Sequence, residues 1–384
     1  MTAGLLDAPT ATVSSTRARV PEASSPQRRW ARDHLRGLLN LFLPSFGEGG
    51  VSLDEEAIRH DVRHAIAQGF SGTMPMVNWT PPGDPRWEQF LLIVLDEACG
   101  KLPVHASLFG RTPEEDLPTM RRLEAMGVEL FLLANTHRSD IAADALHASM
   151  RARIDATDRP VMLYAALGKG RAFAHLGPAG QPLDVYDRLA DRPNVVAVKV
   201  SQPVTLSSTL QLCERLGDRL LMGPVNLDFV PLLSRHHHIQ WSGQWNAEAV
   251  QTPADRLGNQ LIAACVAGDD AAVAAATLRI QPALDHFFGV QAAVIRSGAH
   301  PWQHNKFYSW LGGGNGGLLP ADAHAPAGAV PVLDRAARDA MRAAFRASGL
   351  EPTDAPDDQF VVGRAAWARG VRPADLGALK SYAA

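Results

Sequence analysis

From Arg36 onward the chain alternates short apolar runs with longer amphipathic stretches. Each cycle takes roughly 20 to 35 residues, the spacing of successive β and α units. Eight runs predict eight strands, at residues 38–42, 72–76, 104–108, 130–134, 161–164, 195–201, 220–222 and 239–242. The helices between them carry local signals. Ser52-Leu53-Asp54-Glu55 offers a cap with an acidic first turn, and Thr112-Pro113-Glu114-Glu115 puts proline at the first helical position. Gly127 and Gly217 stand where two of these helices end.

Eight strands separated by helices predict an α/β protein built as a (β/α)8 TIM barrel, rather than an open doubly wound sheet. No Gly-rich phosphate fingerprint follows the first strand. The Gly312-Gly313-Gly314-Asn315-Gly316-Gly317 run comes late, lacks a Lys-Ser/Thr ending, and reads as a flexible turn. An Ala-rich stretch over 255–305 and a further helix over 333–347 predict additional C-terminal helices. The expected division is a disordered extension at 1–32, the barrel at 33–254, a C-terminal helical region packed on it at 255–350, and a tail at 351–384.

The sixth run, Val195-Val196-Ala197-Val198-Lys199-Val200-Ser201, places a lysine within a β-branched strand. Strand alternation puts Val196, Val198 and Val200 on one face, and Val195, Ala197, Lys199 and Ser201 on the other. In a parallel barrel the valines turn toward the helices and Lys199 toward the interior. Desolvation there lowers the amine pKa and makes it a nucleophile. The alternative is a lysine that snorkels from a strand end or pairs with a carboxylate. Of 37 Lys plus Arg, only Lys101, Lys169, Lys199, Lys306 and Lys380 are lysines, so arginine meets most of the need for positive charge.

A net charge of -3 over 384 residues gives no electrostatic case for nucleic acid or an anionic membrane, leaving small molecules as expected partners. Cys99, Cys213 and Cys265 are widely spaced, without a CxxC pair, which argues against a disulfide framework or zinc knuckle and fits a reducing cytoplasm. No apolar stretch approaches a membrane span, and the N-terminus lacks an apolar signal core. His236-His237-His238 are adjacent and so point apart, and His300 and His304 lack a third ligand; no metal is expected.

With Lys199 on the sixth strand and Tyr164 on the fifth, the chain resembles the class I aldolase family that includes dihydrodipicolinate synthase and N-acetylneuraminate lyase. The order of parts agrees over about residues 36–350. Leu43-Pro44-Ser45-Phe46 with Gly50-Val51-Ser52-Leu53-Asp54 is similar to the family's first strand and loop. Val161-Met162-Leu163-Tyr164 is similar to its tyrosine strand, and Pro193 to Ser201 to its Schiff-base strand. Met222-Gly223 and Trp241-Ser242-Gly243 fall where the family has glycine-containing strand ends.

The resemblance implies that Lys199 forms an imine with a 2-oxo acid, usually pyruvate, without a separate cofactor, and that Tyr164 relays protons. It also implies a homo-oligomer, a tetramer or dimer. The chain departs from the family's carboxylate-binding turn, reading Val77-Asn78-Trp79-Thr80-Pro81. Asn78 and Thr80 keep donors for a carboxylate, and Trp79 adds an apolar wall. Ala134-Asn135-Thr136-His137 replaces the synthase's aromatic pair, so dihydrodipicolinate synthesis itself is not expected, and His137 becomes a candidate acid or base. Gly168-Lys169-Gly170-Arg171 supplies two cations, Lys169 and Arg171, after the fifth strand. Gly223 and Ser242 complete the expected substrate-binding set.

Trp79, Trp241 and Trp245 suggest an aromatic mouth and hence a bulky or aromatic second substrate. The leading expectation is a carbon–carbon lyase of the class I aldolase type. A Schiff-base dehydratase or hydratase of a sugar-derived or aromatic acid, a carbon–oxygen lyase, is the second. A barrel that binds a ligand without catalysis is the third.

Overall fold

The computed structural model describes residues 19–376 except 48, 77–83, 109–111, 135–139, 166–173, 178–179, 202–204, 245–246, 295–299 and 321–327. All eight predicted runs are strands: β1 Gly37–Phe42, β2 Thr73–Pro75, β3 His105–Leu108, β4 Leu130–Ala134, β5 Val161–Ala165, β6 Val195–Val200, β7 Leu221–Pro224 and β8 Trp241–Gln244. They pair in parallel, in the order β2-β1-β8 and β3-β4-β5-β6-β7. A single parallel bridge, Thr73 to Val104, joins β2 to β3. At the other seam the Ser242 hydroxyl donates to the Pro224 carbonyl, tying β8 to β7. The result is a closed TIM barrel.

Fourteen α-helices are described: α1 Pro26–His34, α2 Glu55–Gln68, α3 Pro85–Ala98, α4 Pro113–Met126, α5 Ala143–Ile154, α6 Leu183–Leu189, α7 Leu206–Leu216, α8 Val230–Leu233, α9 Leu257–Ala267, α10 Asp270–Val294, α11 Trp302–Leu311, α12 Arg335–Ala347, α13 Asp357–Val362 and α14 Arg364–Ala368. The caps follow the local chemistry. Asp54 accepts from Ala57 N at the start of α2, and Thr112 with Glu115 closes a capping box on α4. Gly127 ends α4 in the left-handed region at φ 102°, whereas Gly217 ends α7 at φ -70°, a conformation open to any residue.

Two apolar layers hold the barrel. The outer layer packs Val161, Leu163, Val198, Val200 and Met222 against the helices, and the inner one gathers Leu39, Leu41, Met74, Leu130, Leu132, Met162, Leu221 and Trp241. Between α4 and α5 the outer layer buries an ion pair, Arg153 with Asp116 at 3.2 Å, both side chains at most 1% exposed. None of the described helices is long and apolar enough to cross a membrane.

Two expected boundaries are corrected. Helix α1 begins inside the stretch assigned to a disordered extension. Its residues are mostly polar, but its anchors are backbone carbonyls far along the chain. Ser25 Oγ donates to Pro193 O at 2.5 Å, and Arg28 donates to Ala190 O and Val195 O. Gln240 returns two bonds, to Arg32 O and Leu35 O. Ala31 and Leu35 thus join the inner cluster at the strands' N-terminal end, which α1 closes. The tail also folds through residue 376. Phe360 and Val361 are buried in the main core, and Asp357 bonds Arg338 and Arg342.

The glycine run is likewise not a free turn. Residues 314–317 are buried, Asn315 N donates to Asp61 on α2, and Gly317 N donates to Phe360 O. Positive φ at Gly313, Gly316 and Gly317 lets the chain lie this close to α2 and α13.

Candidate active site

Strand β6 carries a bulge that alters the simple alternation read from sequence. Val161 on β5 pairs with Val195, but Met162 pairs with Ala197, so Val196 is an extra residue. As a result Val195 packs in the outer layer and Val196 in the inner one, the reverse of expectation. Past the bulge the expected parity holds: Ala197 is inward and Val198 and Val200 are outward. Lys199 therefore points into the barrel, and it is 1% exposed.

Its neighbours in register are Tyr164 on β5 and Gly223 on β7. Lys199 Nζ lies 4.3 Å from the centroid of the Tyr164 ring. The ring face favours a cation by about 1–2 kcal/mol, whereas burying an ammonium costs several kcal/mol. Desolvation prevails, and the amine is held well below its ordinary pKa.

The Tyr164 hydroxyl donates to Ser201 Oγ at 3.3 Å. Burial pushes the phenol above its ordinary pKa, and the bond to Ser201 partly offsets that rise. Tyr186 anchors the strand end by donating from its hydroxyl to the Tyr164 carbonyl at 3.1 Å. Ser201 was not among the predicted site residues, although its position two after Lys199 places it on the same face of the chain.

Gly223 leaves space that the Trp241 indole takes. A Cβ at Gly223 would come within 2.1 Å of Trp241 Cζ2, and Trp241 is fully buried in the inner cluster. The tryptophan expected at the mouth thus fills the barrel interior beside the lysine layer. Ser242 is a second correction: it lies on the face of β8 opposite Trp241, and its hydroxyl is spent on Pro224 O rather than brought to Lys199.

On β3, His105 and Ser107 alternate with the outward Ala106 and Leu108 and so add polar atoms to the barrel lumen. Burial pushes the His105 imidazole down to about 3, so it is neutral there. Asn78, Trp79, Thr80, His137, Lys169 and Arg171, along with Trp245, lie outside the described residues. Of the predicted set, the structure brings together Lys199, Tyr164 and Gly223, and adds Ser201 and Trp241.

Among the described residues, no three His, Cys, Asp or Glu side chains converge as metal ligands. His238 bonds the Gln240 side chain at 2.9 Å, and His237 faces Glu214. The buried amine and half-buried phenol are suited to covalent chemistry on a carbonyl: an amine whose neutral form burial favours, with a hydroxyl pair beside it to move protons.

No protein-family model matches the chain. Curated relatives do. The 4-hydroxy-tetrahydrodipicolinate synthase of Roseobacter denitrificans is 24% identical over 254 residues, covering 64% of this chain and 81% of that enzyme. That of Rhodopseudomonas palustris is 24% identical over 260 residues, covering 66% and 81%. The Pelobacter propionicus enzyme is 25% identical over 188 residues, and this match spans only 61% of its length. Among solved structures, the dihydrodipicolinate synthase of Thermotoga maritima superposes with a TM-score of 0.62 at 17% identity, over 82% of this chain and 99% of that one. The Acinetobacter baumannii enzyme, solved with pyruvate, gives 0.60 at 15% identity over 82% and 99%.

Proposed function

Since the chain is a divergent member of the dihydrodipicolinate synthase family, we propose that it is a Schiff-base lyase in which Lys199 attacks the ketone of a pyruvate-like 2-oxo acid. The observation that carries this reading is the desolvated Lys199 amine in register with Tyr164 on the inner face of the barrel.

The chemistry follows from those atoms. A neutral Lys199 Nζ adds to the ketone carbon and gives a carbinolamine. Tyr164, hydrogen-bonded to Ser201, passes a proton to the departing hydroxyl, and water leaves as the iminium forms. The iminium withdraws electrons from the adjacent carbon. Loss of a proton there gives an enamine, which attacks an electrophile; the reverse order cleaves a carbon–carbon bond. Helix α1 closes the barrel's N-terminal end, so substrate enters at the C-terminal ends of the strands, where Lys199 sits.

For the second substrate we propose a bulky or aromatic molecule. An aromatic side chain that could face it is Trp302, at the start of α11, which is partly buried and packs against the inner cluster that includes Leu319. The same helix meets the segment after β1, where Lys306 Nζ donates to Pro44 O and Ser45 Oγ at 2.8 Å.

Exchange of the pyruvate methyl hydrogens for deuterium, followed by proton NMR, tests the half-reaction without the second substrate. Enzyme-dependent exchange that disappears in Lys199→Met supports the proposal. Exchange at the uncatalysed rate with pyruvate and with larger 2-oxo acids contradicts it. Product analysis with a carbon-labelled substrate then separates carbon–carbon cleavage from loss of water, because dehydration leaves the skeleton intact.

A further inference from the structure

A second polar chamber lies across the barrel wall from Lys199. Leu39 and Leu41 of β1 join the inner cluster, so Asn40 between them faces outward to the helices. There it borders a cavity of about 30 Å³ lined also by Asp61 and His64 of α2, Glu248 after β8, and Lys306 of α11. A water-sized particle needs roughly 10–15 Å³ measured in this way, so the chamber has room for about two.

Most polar groups around it are already engaged. Lys306 Nζ donates to Pro44 O and Ser45 Oγ, and Asp61 Oδ1 accepts from Asn315 N at 2.6 Å. Gln68 and Gln251 each donate to the other's backbone carbonyl. Three side chains are left over. Asn40 Oδ1 and His64 Nε2 are buried without a hydrogen-bond partner, and the Glu248 carboxyl has only the backbone N–H groups of Leu41 and of Glu248 itself turned toward it, neither at full hydrogen-bond geometry; the three residues are 5%, 8% and 5% exposed.

These leftover atoms share one character. A carboxylate and an amide oxygen only accept, and a neutral imidazole accepts at one ring nitrogen. His64 is neutral, because burial pushes it down to about 3. Burial, with the charge of Asp61 added, pushes Glu248 up to about 8, and burial raises Asp61 too, against the pull of Lys306. Under-satisfied buried acceptors, with the Asp61 charge raising the proton affinity of Glu248, are costly when nothing lies between them.

We infer that this chamber is a binding site for a small desolvated monovalent cation, of ammonium or potassium size, held by Glu248, Asn40 Oδ1 and His64. An ammonium ion matches the set best: its hydrogens can be shared among carboxylate, amide and imidazole acceptors, whereas an alkali ion prefers oxygen alone. The site is independent of the Lys199 reaction. Its occupant would tie β1 and α2 to the segment that follows β8.

The test uses the full chain dialysed into tetramethylammonium chloride, whose cation is too large for the chamber. Ammonium, potassium and sodium chloride are then titrated at constant ionic strength while the melting temperature is followed. A saturable rise is expected with ammonium, smaller with potassium, reaching roughly 3 °C at a hundredfold excess over Kd. Glu248→Gln should melt at one temperature in every salt while keeping the wild-type circular dichroism spectrum. Equal melting of the wild type in all salts, meaning water alone fills the chamber, overturns the inference, as does an undiminished rise in Glu248→Gln. If that variant does not fold, a wild-type crystal grown in rubidium chloride decides: an anomalous peak between Glu248 and Asn40 upholds the site, and a flat map there overturns it.

Discussion

Lys199 and Tyr164 meet in register across β6 and β5, with the lysine nitrogen 4.3 Å from the centre of the phenol ring. An amine so placed is suited to nucleophilic attack, since burial holds its pKa well below the ordinary value. Stability is lost for the same reason that reactivity is gained. Between the lowered pKa of the folded chain and the ordinary pKa of the unfolded one, the unfolded state binds the extra proton, so the contribution of Lys199 to stability rises with pH across that window.

Lys199→Met is therefore expected to abolish turnover and to stabilise the fold by about 1–2 kcal/mol near neutral pH, since it replaces a desolvated amine with an apolar chain of similar length. Urea unfolding at several pH values checks this: the gain should shrink as pH rises toward the ordinary lysine pKa. A variant less stable than wild type at neutral pH contradicts the burial argument.

Tyr164→Phe keeps the ring beneath Lys199 and removes the hydroxyl bonded to Ser201. A loss of roughly 10²- to 10³-fold in kcat is expected, with imine formation slowed rather than abolished. Ser201→Ala should cost about tenfold, with Ser201→Thr restoring part of it. Rapid-quench kinetics separate the slowed imine step from binding, and an unchanged rate in Tyr164→Phe excludes the relay.

Gly223 and Trp241 form a coupled pair, because a methyl group at 223 would enter the space of the indole. Gly223→Ala is expected to cost about 2–3 kcal/mol by overpacking. Trp241→Leu opens the space, so the double variant should be less destabilised than the two single effects summed, by at least about 1 kcal/mol. Additive effects in denaturant melts contradict the contact.

The buried Arg153–Asp116 pair gives a prediction remote from the chemistry. Asp116→Ala strands a guanidinium whose proton affinity burial already lowers, and is expected to cost about 3–5 kcal/mol. Exchanging both residues for apolar ones, Asp116→Leu with Arg153→Met, should recover most of that loss. Thermal melts of the single and double variants check it.

Much of this was legible along the chain. Apolar runs bounded by turn residues gave all eight strands, because parallel barrel strands are buried on both faces and say so locally. The inward direction of Lys199 followed from alternation over the last residues of β6. What sequence alone did not show depends on partners far away. The extra residue at Val196 appears only when β6 is laid against β5. Helix α1 is too polar to announce a core role, and its anchors are carbonyls some 160 residues on. Trp241 reads as a mouth residue until the missing side chain of Gly223, on the neighbouring strand, gives it room inside. Ser242 looked like a ligand-binding hydroxyl, but the seam between β7 and β8 needed its hydrogen bond.

An imine between Lys199 and a 2-oxo acid can be trapped by reduction. Incubation with pyruvate, and then with larger 2-oxo acids, under sodium borohydride, followed by peptide mass spectrometry, tests it most directly. A reduced adduct is expected on Lys199, equal in mass to the oxo acid less water plus two hydrogens, and absent when Lys199 is methionine. Adducts confined to the other lysines, or a Lys199 peptide of unchanged mass with every 2-oxo acid, would contradict it.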